Sequence, residues 1–135
     1  MSGLTPVSDG LGAILEIFDA RFEFDALGRI LLTRNEGDTP RFVLGRSAEG
    51  CVWRFAASLE RPRVIQIAKL AGREPGFPSD HPPPYPPPER LVMIERVLKG
   101  FAAGAPAQTS VRIKTDREVL ERDGLVLAEI WTLTG

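Results

Sequence analysis

Between Pro75 and Pro88 the chain places eight of its twelve prolines. Each holds φ near about −65° and removes a backbone donor, so this stretch can be neither helix interior nor central strand. It is expected to run as extended, polyproline-like backbone over the surface. At 135 residues the chain has the length of one ordinary domain. Residues 1–135 are therefore read as a single domain, with a rigid connector at 75–88 between two segments that share a core.

Ahead of the connector the periodicity is first helical. Leu11, Ile14, Leu15, Phe18 and Phe22 lie on one stripe, with Ser8 or Asp9 as the candidate cap. Asp25-Ala26-Leu27-Gly28 reads as a turn with Gly28 at positive φ, and Arg29 to Arg34 as a buried strand, since Ile30-Leu31-Leu32-Thr33 is apolar and partly β-branched. Arg41 to Phe55 reads as a hairpin connected through Ser47-Ala48-Glu49-Gly50, with Gly50 in left-handed geometry. With the Ile30 strand it is expected to make a three-stranded meander. A helix follows from about Pro62 to Ala71, opened by Pro62 and closed by Gly72.

Beyond Pro88, Leu91, Ile94, Leu98 and Phe101 share one helical face, Glu95 and Lys99 pair at i,i+4, and Gly100 is the stop. Ser110 to Thr115 alternates, with Val111 and Ile113 on one face. Thr115-Asp116-Arg117-Glu118 matches a capping box ahead of Val119 and Leu120, which predicts a short helix. Asp123-Gly124 turns the chain into a last strand, Leu125 to Leu133, on which Leu127, Trp131 and Leu133 share a face. The fold expected is α+β: an antiparallel sheet of four to five strands with three main helices packed mostly on one face.

Composition narrows the function classes. Seventeen Lys plus Arg against eighteen Asp plus Glu leave a net charge of −1. That balance supplies no general attraction to phosphate backbones or anionic lipid, so neither nucleic acid nor membrane is expected as a partner. One Cys and one His are too few for a self-contained zinc site or an internal disulfide. No metal or other cofactor is expected, and a reducing cytoplasm is the default compartment. No apolar run reaches the ~20 residues of a membrane span, and Met1 to Pro6 lacks the basic start of an export signal.

The common catalytic motifs are missing: there is no phosphate-binding Gly-x-x-x-x-Gly-Lys loop, no Gly-x-Gly-x-x-Gly and no Gly-x-Ser-x-Gly. His81, the only histidine, sits on the proline-rich loop beside Asp80, a poor platform for groups that need close positioning. The plain reading is a solvated side chain. Pro82-Pro83-Pro84-Tyr85 resembles a ligand for WW domains, but a rigid connector needs no partner. Cys51 is read as a buried, inert thiol. Asp19, Glu23 and Asp25 lack calcium-loop spacing and are read as a solvated helix end. Arg41, Arg46 and Arg54 lie on or beside the hairpin, with Trp53 and Phe55 flanking Arg54. Arginines among aromatics can hold anions. Strand alternation alone instead turns Trp53 and Phe55 inwards and the arginines outwards. Arg41, Arg46, Trp53, Arg54, His81 and Tyr85 are the residues of any ligand site.

The hairpin carries a family resemblance. Arg41-Phe42-Val43-Leu44-Gly45-Arg46-Ser47, then Glu49-Gly50 and Trp53-Arg54-Phe55, resembles the region ahead of the catalytic domain in certain bacterial GNAT-family acetyltransferases. Asp25-x-x-Gly28-Arg29-Ile30 and Pro87-Pro88-Glu89-Arg90 fit the same order, so the resemblance spans about residues 20 to 100. It implies an accessory region without acetyl-CoA binding, whose loop of Gln/Arg-x-x-Gly-x-Gly/Ala type has no match in this chain. Beyond Gly100 the sequence departs from that pattern and supplies its own closing elements. Asp25 to Ile30 followed by Asn35 is also similar to the opening of PAS sensor domains, but the helical run that follows there is replaced by the hairpin.

Three functions follow as expectations. The first is a non-catalytic binding or assembly module, acting as a homodimer or beside a partner protein, which predicts an exposed apolar patch or sheet edge. The second is a domain that binds a small anionic molecule between sheet and helices, which predicts an inward arginine without a carboxylate partner. The third is a small enzyme of unknown reaction joining His81 or Tyr85 to acidic residues.

Overall fold

A computed structural model describes residues 9–34, 37–78, 83–99 and 112–135. It is α+β, with three helices, a four-stranded antiparallel sheet and a separate two-stranded hairpin. The elements in chain order are α1 (Asp9–Arg21), β1 (Phe22–Phe24), β2 (Ile30–Thr33), β3 (Phe42–Ser47), β4 (Gly50–Phe55), α2 (Arg61–Ala71), α3 (Leu91–Leu98), β5 (Lys114–Arg122) and β6 (Leu125–Thr134). The sheet runs β4-β3-β6-β5.

Strand alternation sorts the core into two layers. Phe42 and Leu44 of β3 join Trp131 and Leu133 of β6, and α2 and α3 cover them with Ile67, Ala71, Ile94 and Leu98. The opposite face, Val43 with Ala128 and Ile130, is covered by Ile14 and Phe18 of α1 and by Phe22 and Ile30 of the small hairpin. Two helices thus lie on one face and one on the other. Each fully buried large side chain contributes roughly 1.5–3 kcal/mol relative to exposure. Central β3 is buried on both faces, and its glycine is part of that packing: a Cβ on Gly45 would meet the Ile14 side chain.

The Arg41–Phe55 hairpin and α2 with Pro62 in its first turn form as the spacing predicts. The α1 stripe holds in part: Ile14 and Phe18 are buried, but Leu15 is 39% exposed and Phe22 already belongs to β1. Asp25 Oδ1 accepts from the Leu27 and Arg29 amides at 2.9 Å each, and Gly28 takes φ 78°. Gly50 has φ 139°, positive but outside left-handed helical geometry. Glu95 and Lys99 pair at 2.9 Å. The α1 N-terminus has a partner that its own neighbourhood did not suggest. Ser8 lies outside the described residues and Asp9 is already helical; the Glu49 carboxylate accepts from the Gly10 amide at 2.9 Å and the Leu11 amide at 3.3 Å.

Three further expectations change. The Ile30 strand is not buried along its length, because its two-stranded hairpin leaves Leu31 and Leu32 52% and 44% exposed, and it is not the first arm of a meander. It pairs with Phe22–Phe24 through a short local turn, and its tie to the hairpin is a bridge from Ile30 to Ala56. The neighbouring edge of β3 belongs to β6, in register from Phe42↔Leu133 to Ser47↔Ala128. The capping box at Thr115–Glu118 starts no helix: it lies in β5, where a nine-residue ladder with β6 outweighs a weak local signal. Glu118 is engaged by Arg21 rather than by its own backbone. The proline connector is not merely a surface spacer. Pro88 is buried, and the Phe77 amide donates to the Ser47 carbonyl at 2.9 Å. Gly76 lies so close to the β3–β4 turn that a Cβ would strike the Ser47 carbonyl. Gly100, Phe101, Ser110 and Val111 lie outside the described residues.

Candidate functional site

Strand register builds a buried cluster of charges. Arg46 and Glu129 are direct partners across β3 and β6, on the face that also carries Leu44 and Trp131. Arg46 Nη2 reaches Glu129 Oε1 at 2.7 Å, and the two side chains are 4% and 0% exposed. Arg46 Nε donates to the same oxygen at 3.2 Å, as does Trp131 Nε1, also at 3.2 Å. Glu129 Oε2 contacts Arg117 Nη2 at 2.6 Å as an ion pair without hydrogen-bond alignment. Arg117 lies over the Trp131 ring, 5.6 Å from its centroid. One buried carboxylate therefore serves two guanidinium groups.

The proline connector closes over this cluster. Arg46 Nη2 donates to the Pro86 carbonyl at 2.6 Å. Its guanidinium stands 5.2 Å from the Phe77 centroid, and Phe77 stacks on Tyr85 with centroids 4.1 Å apart. Beside them Glu74 is buried and accepts from the Arg90 amide at the start of α3, with Arg90 Nη1 at 3.9 Å. Cys51 Sγ donates to the Pro75 carbonyl at 3.3 Å. Burial, and next the Glu74 charge, push this thiol up to about 11, which disfavours the thiolate at neutral pH.

A second concavity, of about 560 Å³, lies at the other end of the sheet. Arg41 and Arg63 line it, with Ile30, Ala56, Leu59 and Glu60. Arg41 Nε donates to the Gly135 backbone oxygen at 2.7 Å. Neither arginine pairs with an Asp or Glu side chain among the described residues. The start of α2 borders the cavity, and its first turn carries no acidic side chain.

The six candidate residues do not converge on one site. Arg46 and Tyr85 meet through Phe77. Arg41 is at the opposite end, and His81 lies outside the described residues. Trp53 and Phe55 pack against the α2–α3 layer as alternation predicts. Arg54 donates back to the Trp53 carbonyl at 2.8 Å and borders a shallow concavity with Leu27 and Arg29. The outward reading fails for Arg46, because it occupies the inward phase of a strand covered on both faces. Sequence reasoning missed Glu129, Arg117, Glu74 and Arg63. A signal for Glu129 existed: it stands in the same inward phase as Trp131 and Leu133, where an unpaired charge would be costly.

No cluster of three or more metal-ligating side chains occurs among the described residues, and none of their helices is long and apolar enough to cross a membrane. No family model, curated protein or solved structure matches the chain.

Proposed function

We propose that this domain is a binding module that takes a small anionic molecule in the cavity lined by Arg41 and Arg63. The observation that carries the reading is two guanidinium groups on one concavity, neither in an ion pair with an Asp or Glu side chain among the described residues, with Glu60 also on the wall. A phosphate or carboxylate entering there would gain charge-assisted hydrogen bonds and the favourable end of the α2 dipole. Arg46 does not supply the inward, unpaired arginine, since Glu129 already holds it. The likeness of residues 41–55 to the acetyltransferase accessory region belongs to the same proposal, as a non-catalytic module.

The test is a thermal-shift titration with inorganic phosphate, pyrophosphate and citrate, against Arg63→Gln. A ligand at 100 times its Kd stabilises the fold by about 2.7 kcal/mol, several degrees for a domain of this size. A shift in the parent that is lost in Arg63→Gln supports the reading. No shift, or an equal shift in both, overturns it.

Self-association is a second reading, favoured by Val92 and Met93, adjacent on α3 and 64% and 47% exposed. It predicts a sedimentation mass that doubles with concentration and stays monomeric in Val92→Glu. A monomer at all concentrations removes it.

A further inference from the structure

We infer that the concavity beneath the proline connector binds a free α-amino acid with an apolar side chain, its carboxylate on Arg46 and its ammonium on Glu74. This site shares no lining residue with the Arg41–Arg63 cavity and does not depend on it.

The concavity holds about 310 Å³, and its walls include Phe77, Pro78, Pro86 and Pro87 together with the charged residues Arg46, Glu74 and Glu89. That volume is at the lower end of small-ligand sites, roughly 300–1,000 Å³. The Arg46 and Glu74 side chains are more than nine-tenths buried, at 4% and 2% exposure. They line one space yet form no ion pair with each other. Each keeps an atom outside every hydrogen bond of the described residues: Arg46 uses Nε and Nη2 and leaves Nη1, while Glu74 uses Oε1 and leaves Oε2.

Charge decides the class of ligand. Arg46 and Arg117 share the single carboxylate of Glu129, so these three side chains carry a net positive charge, with no further ion pair to either arginine among the described residues. Across the concavity stand two carboxylates, buried Glu74 with Arg90 at 3.9 Å and exposed Glu89 on the rim. A simple anion would satisfy Arg46 but bring like charge towards Glu74, and a simple amine would do the reverse. A zwitterion offers each group its opposite, while the proline and phenylalanine walls suit an apolar side chain.

The experiment is calorimetric titration of the full chain with L-leucine, L-proline and L-phenylalanine, then with N-acetyl-leucine and leucinamide. Binding of a free amino acid, with both blocked derivatives failing, is the expected result. Glu74→Gln removes the charge while its amide oxygen can still accept from the Arg90 amide. It should weaken binding at least about tenfold, the scale of one charged hydrogen bond, with the melting temperature little changed. Should that variant fail to fold, Ala48→Phe, at an exposed turn position on the cavity wall, serves instead and should block binding sterically. The inference is overturned if no free amino acid binds. It is also overturned if a blocked derivative binds equally well, or if a folded Glu74→Gln or Ala48→Phe binds as the parent does. Arg63→Gln should leave this binding intact, which separates the two sites.

Discussion

Arg46 and Glu129 face each other across β3 and β6 and pair at 2.7 Å, almost wholly removed from water. Glu129 also holds Arg117 at 2.6 Å, and Arg46 also holds the Pro86 carbonyl. A single carboxylate thereby connects the sheet interior to its edge strand and, through Arg46, to the proline connector. Taking one partner from such a pair costs far more than replacing both by apolar groups of similar volume. Glu129→Ala should lower unfolding stability by about 3–5 kcal/mol, read from urea denaturation. Arg46→Met combined with Glu129→Leu should recover much of the loss. If Glu129→Ala unfolds at the parent's midpoint, the pair does not hold the fold.

Acid should weaken one tie between α1 and the edge strand. Arg21 and Glu118 pair at 2.7 Å. The hydrogen bond from Arg21 holds the Glu118 carboxyl below its usual range, against a smaller opposing effect of burial. A depressed carboxylate pKa contributes stability that is complete above the unfolded value, about 4.3 for Glu, and lost as pH falls through the lower folded value. Both side chains are more than a third exposed, so solvent screening limits the effect to about 1 kcal/mol or less. Glu118→Gln should lower stability slightly at neutral pH and remove that share of the acid-side decline. Parallel stability–pH curves for parent and variant would refute the tie.

Cys51 should resist alkylation while the fold is intact. Its pKa rises from 9.0 to about 11, which cuts the thiolate fraction at pH 8 by roughly a hundredfold. Iodoacetamide labelling should therefore be at least that much slower in native buffer than in denaturant, followed by intact mass. Equal rates would place Cys51 in an open, ordinary environment.

Close packing of α1 on β3 depends on having no side chain at Gly45. A Cβ there would press into the buried Ile14 side chain. Gly45→Ala should cost about 1–3 kcal/mol through overpacking, and Ile14→Val in the same chain should relieve part of it. Chemical denaturation of the two variants decides the matter; a neutral Gly45→Ala would show that α1 sits further from the sheet.

The residues of the β3–β4 hairpin are held by packing and pairing within the fold. Gly45 admits Ile14, Arg46 meets Glu129, and Glu49 accepts from the first amides of α1. Gly50 turns the hairpin at positive φ, and Trp53 packs on the core. Each of these residues therefore has a structural task.

Local chemistry was sufficient for the elements whose signals are local. The α1 helix, the Asp25–Gly28 turn, Pro62 at the start of α2 and the Glu95–Lys99 pair all depend on neighbours within one or two helical turns. The α+β class followed from them. What tertiary structure alone decided was every relationship across long sequence distance. Glu49 accepts from the first amides of α1 from 39 and 38 positions away. Thr115–Glu118 becomes strand because β6 offers a ladder, and Arg46 turns inwards because Glu129 meets it from 83 positions away. Periodicity shows which face a residue occupies. Whether that face meets water or a partner charge depends on which distant strand lies beside it.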